Sequence, residues 1–565
     1  LARGTRIRLE AAPPTRGLIL DRNGVVLAQN LPAYQLEKIP EQVADIDETL
    51  ARLFELELLD PEREEELRDR IRRSPSFKPV TLRSSMDDAA VAQFALQRPY
   101  FPGVDIRARL VRDYQHGSTA AHIHGNVGGL SQSDLSRVDN ANYAGTTQIG
   151  KTGIEATYEA ELHGNVGHRE VVTNADGRAL GFQTRDEPQP GSHVYLTIDL
   201  QLQRLAEQAL EGRRGAIVAI EPTTGEVLAM ASAPAFDPNG FARGMDSETF
   251  RALQNNLDRP LFNRAVSGGY PPGSTIKPLL ALGALDSGRT SVNRVTNCEG
   301  HFSLPGSTHR YRDWKPEGHG LVDLTQAIAQ SCDVYFYQLA QDMDIDLMHD
   351  YLVRFGLGEN LGIEIPGEKA GLVPSRAWKR QRFSNRADQV WFPGETVIAS
   401  IGQGYMTATP LQLAHMVATV ANYGVRIQPR LTHRLEDPLS RETSAQEPQM
   451  LTAVTNIDAN AWQHTIDAMK AVLQSPQGSA YATGRDVEYT FAGKSGTAQV
   501  FSVAQEDKYD ELELDERLKD HALFVAFAPI ESPEIAISVV VENAESGSGV
   551  AAPIARQLAD YWLSR

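Results

Sequence analysis

Ser274 and Lys277 stand three positions apart in Tyr270-Pro271-Pro272-Gly273-Ser274-Thr275-Ile276-Lys277-Pro278. If a helix starts at or near Ser274, positions i and i+3 share one face, and the Lys277 amine can reach the Ser274 hydroxyl. A serine hydroxyl is a poor nucleophile until a base takes its proton. A lysine is such a base only when its amine is neutral, a state favoured by burial and by nearby positive charge. A helix N-terminus adds positive potential and free backbone N–H groups beside the nucleophile. Pro278 falls early in that helix, where a missing N–H costs least. Ser-x-x-Lys also opens many ordinary helices by chance, so the pair does not establish catalysis by itself.

Two later segments extend the pattern. Ser331-Cys332-Asp333 lies between the apolar runs Ala327-Ile328-Ala329 and Val334-Tyr335-Phe336-Tyr337. A second serine in a cleft can relay a proton, and the Asp333 side chain can hold Lys277 and a substrate amide. Lys494-Ser495-Gly496-Thr497 follows Tyr489-Thr490-Phe491-Ala492-Gly493 and reads as an edge strand. Its small residue, Gly496, marks a place where a ligand backbone is expected to come close. Lys494 is expected to set a cation near a substrate carboxylate. Ser495 and Thr497 would hydrogen-bond that carboxylate, so Gly496 and Thr497 form the substrate-binding edge. The backbone N–H groups of Thr497 and Ser274 would make an oxyanion hole.

The elements that must position these groups are legible in outline. At 565 residues the chain predicts more than one domain. The polar stretch 184–192, with its Pro and Gly, suggests a boundary near residue 190. That divides the chain into an N-terminal domain 1–190, read as a pedestal, and a domain 191–565 that carries all three motifs. In the first, Asn23-Gly24 between Leu18-Ile19-Leu20 and Val25-Val26-Leu27 reads as a tight hairpin turn, since both residues tolerate positive φ. Residues 43–75, rich in Glu, Arg and Leu, read as a solvated helical segment.

In the second domain, Asp199 can cap a helix whose Leu202, Leu205, Ala206, Ala209 and Leu210 form one stripe, ended by Gly212. Residues 216–220 and 227–230 flank Thr223-Thr224-Gly225-Glu226 as a strand hairpin. Residues 523–527 and 535–541 are strand-like, and a helix over 551–563 follows. Helix, strands, a long helical middle, strands and helix predict an α+β fold with a mostly antiparallel sheet sandwiched by helices. Residues 434–449 look like an unpatterned loop, and the acidic run 502–520 like a solvated excursion.

Composition narrows the function. A net charge of −18 disfavours a nucleic-acid binder, which usually carries a basic face. No stretch reaches the ~18 consecutive apolar residues of a membrane helix. The chain opens on Leu1, so a signal or anchor segment would precede it. The two cysteines, Cys298 and Cys332, can be a disulfide, two metal ligands or two buried thiols, and their number does not choose.

Ser-x-x-Lys, then Ser-x-Asn or Ser-x-Asp, then Lys-[Ser/Thr]-Gly in that order resembles the penicillin-binding protein and serine β-lactamase superfamily. The flanking text RGLILDRNGVVLAQN (16–30), GKTGIEATYEAELHG (150–164), IGQGYMTATPLQLA (401–414) and GKSGTAQ is similar to the class B penicillin-binding proteins over nearly the whole chain. Asp333 in place of the commoner Asn, with Arg310-Tyr311-Arg312-Asp313-Trp314, resembles the elongation-specific, penicillin-binding protein 2 branch.

The resemblance implies a peptidoglycan D,D-transpeptidase active in cell-wall elongation and inhibited by β-lactams. Its serine would take the penultimate D-Ala of a stem pentapeptide and pass it to the amine of a neighbouring stem peptide. It implies Ser274 as nucleophile, Lys277 as base, Ser331 and Asp333 as proton-transfer and binding groups, and Lys494, Ser495 and Thr497 at the substrate carboxylate. It implies no cofactor for the chemistry, an elongated N-terminal pedestal, and a SEDS-family glycosyltransferase (RodA) and elongation-complex proteins as partners. A single-pass anchor in the inner membrane would leave this portion in the periplasm.

Some relatives of that branch hold zinc near the second motif through carboxylate, His and Cys ligands. Asp313, His319 and Cys332 match that pattern, and Cys298 stands where such relatives can carry Asp. Four such ligands would fill a tetrahedral site. The competing readings are a Cys298–Cys332 disulfide, natural in an oxidising periplasm, and two free thiols. A D,D-carboxypeptidase or β-lactamase of the same superfamily is the competing enzyme, although some 190 residues ahead of the catalytic domain argue against a β-lactamase. A β-lactam sensor or silent scaffold is the competing non-enzyme, and a silent scaffold should have lost Ser274 or Lys277.

Overall fold

The computed structural model describes residues 6–38, 43–73, 80–173, 179–499 and 515–565. The expected fold class holds. The half of the chain that carries the motifs is built on one antiparallel sheet of β1 (Gly215–Ile220), β2 (Val227–Ala233), β3 (Ala492–Ala498), β4 (His521–Ala528) and β5 (Ile535–Val541), in the order β2-β1-β5-β4-β3. Strands β1 and β5 are buried at every position, as central strands covered on both faces must be. Along β1 the side chains alternate between two cores. Ala216, Val218 and Ile220 join one that includes Leu411 and Ala414, while Ile217 and Ala219 join another that includes Leu202, Ala206 and Leu558.

The helices that matter here are α1 (Leu200–Ala209), α2 (Lys277–Asp286), α3 (Asp333–Met343), α4 (Arg376–Arg382), α5 (Pro410–Ala421), α6 (Ala459–Gln474) and α7 (Ala552–Leu563). Helix α1 starts where Asp199 accepts the N–H groups of Gln201 and Leu202 at 3.0 and 2.9 Å. Helix α2 is buried along nearly its whole length, Lys277 included, which is why its sequence shows no polar face. It runs through the middle of the catalytic half, against α6.

The N-terminal half departs from expectation in two places. Residues 46–55 and 64–73 are helices, but they are not merely solvated. Leu50, Leu53, Leu58, Leu67 and Ile71 pack with Phe94 and Phe101 into a core of their own. The apolar residues were spaced for that burial, and the Glu and Arg content masked it. At the hairpin, Asp21 Oδ1 accepts the N–H groups of both Asn23 and Val25 at 2.8 Å, and Gly24 alone takes positive φ, at 84°.

A seven-stranded sheet joins the two halves. It contains Ile19–Leu20, Val26–Lys38, Val80–Met86 and Val104–Tyr114, and it also takes in His193–Leu196, Thr432–Glu436 and Thr443–Ala445. Residues 434–449 are therefore not an unpatterned loop. Thr432–Glu436 pairs with His193–Leu196 and turns back into the exposed edge strand Thr443–Ala445. The pairing partner lies far off in sequence, so nothing local announced the strand. Nearby, Glu155 is fully buried between Arg16 Nε at 2.7 Å and Arg112 Nε at 2.6 Å. Most of the acidic run 502–520 lies outside the described residues, and only its end is seen, where Glu516–Leu518 forms one turn of 3₁₀ helix. Among the described residues no helix is long and apolar enough to cross a membrane.

Candidate active site

The three motifs meet at the N-terminus of α2. A turn of 3₁₀ helix, Gly273–Ile276, leads into α2, so Ser274 sits one turn ahead of Lys277, half-buried at the mouth of the cleft. Gly273 takes φ 56°, and a Cβ there would stand 2.8 Å from the Thr497 carbonyl oxygen. Its N–H donates to Gly402 O at 3.0 Å. Only a residue without a side chain lets the serine turn and the third motif approach this closely. Gly496 makes the same allowance from the other side, since a Cβ there would lie 2.9 Å from Thr275 Cγ2 and 3.2 Å from Pro272 O. The serine turn itself comes close to Gly496, a contact that the sequence did not foretell. Strand β3 is an edge strand, as expected.

The polar groups form a continuous chain. Lys277 is wholly buried, and its Nζ donates to Asp333 Oδ1 at 2.6 Å, Ser331 O at 2.9 Å and Ser331 Oγ at 3.4 Å. The same amine stands 5.2 Å over the Phe336 ring. Lys494, also wholly buried, donates to Ser331 Oγ and to Ser495 O, both at 2.9 Å. The Ser331 hydroxyl therefore sits between two lysines. Ser331 holds φ 60°, a left-handed conformation rare for a side-chain-bearing residue and typical of places where the surroundings impose it. Ser495 Oγ pairs with Ser479 Oγ at 3.0 Å. Thr497 is exposed towards solvent, and its carbonyl accepts Gln403 Nε2 at 3.0 Å.

Electrostatics follow from this burial. Desolvation, with the nearby charge of Lys277, holds the Lys494 amine well below the usual lysine range, against the pull of Asp333. The lysine that the sequence reading placed as a cation near a substrate carboxylate is thus held inside the site. It is an interior amine committed to Ser331. Burial raises the Asp333 carboxyl, and Asp313 adds to the rise while Lys277 opposes it.

Residues to which the sequence reading gave no role complete the site. Ser479 reaches Ser495 from the turn that follows α6, and the Trp314 backbone N–H donates to Asp333 Oδ2 at 3.1 Å. Gln403 lies inside a segment that carried the family resemblance, yet nothing in its type or spacing marked it.

Beside the second motif, one ligand atom from each of Cys298, Asp313, His319 and Cys332 falls within 4.8 Å of the others. The Cys298 Sγ lies 3.4 Å from both Asp313 Oδ2 and His319 Nδ1, and the latter is 3.5 Å from Asp313 Oδ1. A tetrahedral zinc with bonds of about 2.0–2.3 Å has ligand–ligand edges of about 3.3–3.8 Å. The donor types fit that ion, as do the spacings among Cys298, Asp313 and His319. Both cysteines are free and buried, which sets aside the disulfide reading. The Cys298 sulfur is turned to Asp313 and His319 instead. Burial raises the Cys332 thiol and lowers His319.

Comparison with known proteins gives a consistent picture. The family description "Penicillin binding protein transpeptidase domain" matches residues 215–560, and "Penicillin-binding Protein dimerisation domain" matches residues 11–196. The peptidoglycan D,D-transpeptidase MrdA of Acinetobacter baumannii is 42% identical over 99% of this chain and 82% of its own length. The crystal structure of Pseudomonas aeruginosa PBP2 in complex with WCK 5153 is similar at 38% identity and a TM-score of 0.74, covering 99% of this chain and 97% of that one. The Helicobacter pylori PBP2 in its complex with MreC is similar at 27% identity and a TM-score of 0.83, covering 99% of each chain.

Proposed function

The chain belongs to the penicillin-binding protein transpeptidases, and from that membership we propose that it cross-links peptidoglycan as a D,D-transpeptidase of cell-wall elongation, through an acyl-enzyme on Ser274. The observation that carries the assignment of residues is the buried chain Lys277–Ser331–Lys494. Ser274 Oγ attacks the carbonyl carbon of the penultimate D-Ala and yields its proton to Lys277. The N–H groups of Ser274 and Thr497 receive the charge that develops on the carbonyl oxygen. Ser331, bridged between the two amines, hands a proton to the departing D-Ala nitrogen. The amine of a neighbouring stem peptide then attacks the Ser274 ester, gives a proton back through the same groups and frees the hydroxyl. Asp333 positions Lys277, Ser495 and Thr497 hold the substrate carboxylate, and Gly496 keeps the strand close to the serine turn. A β-lactam opens on Ser274 in the same way and remains as an ester. The chemistry itself takes no cofactor.

The domain reading is a pedestal over residues 1–190 and a catalytic domain over 191–565, welded by the shared sheet. Cys298, Asp313, His319 and Cys332 would hold a structural zinc ion, a fit supported by their donor types and spacing. Attachment to the inner membrane by a single anchor, with this portion in the periplasm, is the location that the family membership favours. The partners are the elongation-complex proteins, a reading supported by the relative solved with MreC, and the SEDS glycosyltransferase RodA.

Fluorescent penicillin tests the proposal. A stable adduct on the peptide that contains Ser274, lost in Ser274→Ala and nearly lost in Lys277→Ala, is the expected result. An adduct on another peptide refutes it, and rapid turnover of the drug points to a hydrolase of the same superfamily.

A further inference from the structure

We infer that the cavity between α4 and the segment 386–391 binds a carboxylate of the acceptor stem peptide; this rests on the transpeptidase reading and names where its second substrate is held. The cavity has a volume of about 440 Å³ and is lined by Arg376, Arg380, Arg386, Gln389, Val390 and Trp391. In a chain of net charge −18, the stretch from Arg376 to Trp391 holds five basic residues and one acidic residue, Asp388. Such a cationic island focuses attraction on an anionic ligand.

The basic residues are not equivalent. Arg376 is paired with Asp344 and Asp346 at 3.3 and 2.7 Å. Lys379 is turned inward onto Val390 O at 2.7 Å and onto Glu395. Arg380 and Arg386 are exposed and form no ion pair or hydrogen bond among the described residues. Two unpaired guanidinium groups beside an indole face suit a planar carboxylate on a peptide.

A cluster of aromatic rings links the cavity wall to the segment that reaches the motifs. The Trp391 wall stands 6.4 Å from the Tyr405 ring, and Tyr405 also meets Trp378 of α4 at 5.1 Å. Two and three residues before Tyr405 the chain reaches the motifs, with Gln403 Nε2 donating to the Thr497 carbonyl at 3.0 Å and Gly402 O accepting the Gly273 N–H at 3.0 Å.

The chemistry supplies the occupant. In transpeptidation the donor loses its terminal D-Ala, but the acceptor reacts through an amine and keeps its own C-terminal carboxylate. The cleft lysines have no capacity for that charge, because Lys277 and Lys494 are both wholly buried and their amines are committed. Arg380 and Arg386, which line the cavity, are cations without an ion-pair partner among the described residues.

The test uses the full chain, a D-Ala-D-Ala donor, and an acceptor stem peptide either with free carboxylates or with all of them amidated. For the wild type, KM for the free acceptor should lie about tenfold below that for the amidated one, the effect of one charged hydrogen-bonded contact. In the double variant Arg380→Ala/Arg386→Ala that ratio should collapse towards one, and Arg380→Lys/Arg386→Lys should restore part of it. Labelling of each variant by fluorescent penicillin checks that its cleft has formed. A ratio that persists in the Ala variant, or equal KM values in the wild type, overturns the proposal. So does competition by inorganic pyrophosphate that exceeds competition by the free peptide, since the pocket then belongs to a phosphate. Failure of wild-type Ser274 to label would sink the transpeptidase reading instead, whatever the acceptor ratio.

Discussion

Asp333 shows how one side chain separates this site from the commoner Ser-x-Asn arrangement. Its Oδ1 accepts Lys277 Nζ at 2.6 Å and its Oδ2 accepts the Trp314 N–H at 3.1 Å. A carboxylate offers two acceptors, whereas an asparagine offers one and turns an NH₂ group against the other donor. Asp333→Asn must therefore leave either the Lys277 amine or the Trp314 N–H facing a second donor. Stranding a buried polar group costs ~1–3 kcal/mol, so the rate of acylation by penicillin should fall about tenfold or more while the protein stays folded. A second-order acylation rate equal to that of the wild type would show that the second oxygen is dispensable.

At the scale of elements, the critical task is to hold the second motif in place. The short strand Thr296–Cys298 pairs with Gly320–Val322 and sets Cys298 beside His319. Asp313 Oδ2 accepts the N–H groups of Asp333 and Val334 at 2.8 and 3.1 Å, so it caps the start of α3 as well as facing the sulfur of Cys298. Cys332 lies between Ser331 and Asp333 in the chain, and a metal bound there would fix all three. Protein purified without chelator should carry one zinc per chain by elemental mass spectrometry. Removing the ion, or substituting Cys298→Ser, should lower Tm and expose Cys332 to thiol reagents. Freshly prepared protein that holds no metal and whose thiols are already shielded would rule the site out.

For the whole molecule, the halves are joined by the shared sheet and by contacts such as His122 Nε2 with Pro260 O at 2.9 Å. Burial lowers His122 to about 4. Burial and the charge of Arg426 lower His415, inside α5, to about 3. An unfolded chain protonates these imidazoles near pH 6.5, while the folded chain resists until those lower values. Between the two limits the unfolded state binds more protons, so stability falls as pH falls, by at most ~1.4 kcal/mol per pH unit for each histidine. Tm should drop steadily from pH 6.5 towards pH 4, and His415→Gln should make the slope shallower. A wild-type Tm that is flat across this range would contradict the assignment.

The amino-acid order by itself determined the motifs, the chemistry implied by the family they resemble, and the strands and helices whose periodicity is local. Asp199 as a cap, the β1–β2 hairpin and the buried runs of β4 and β5 all follow from short-range rules. Tertiary structure alone decided what depends on partners distant in the chain. It buried the Lys494 amine on Ser331, because the edge strand packs against the serine turn. It assigned the close approach at Gly496 to Pro272 and Thr275, brought in Ser479 and Gln403, and made 432–445 into paired strands. Residue types and spacing encode what a group can do, but burial and the neighbours that arrive from elsewhere in the chain determine which of those capacities it keeps.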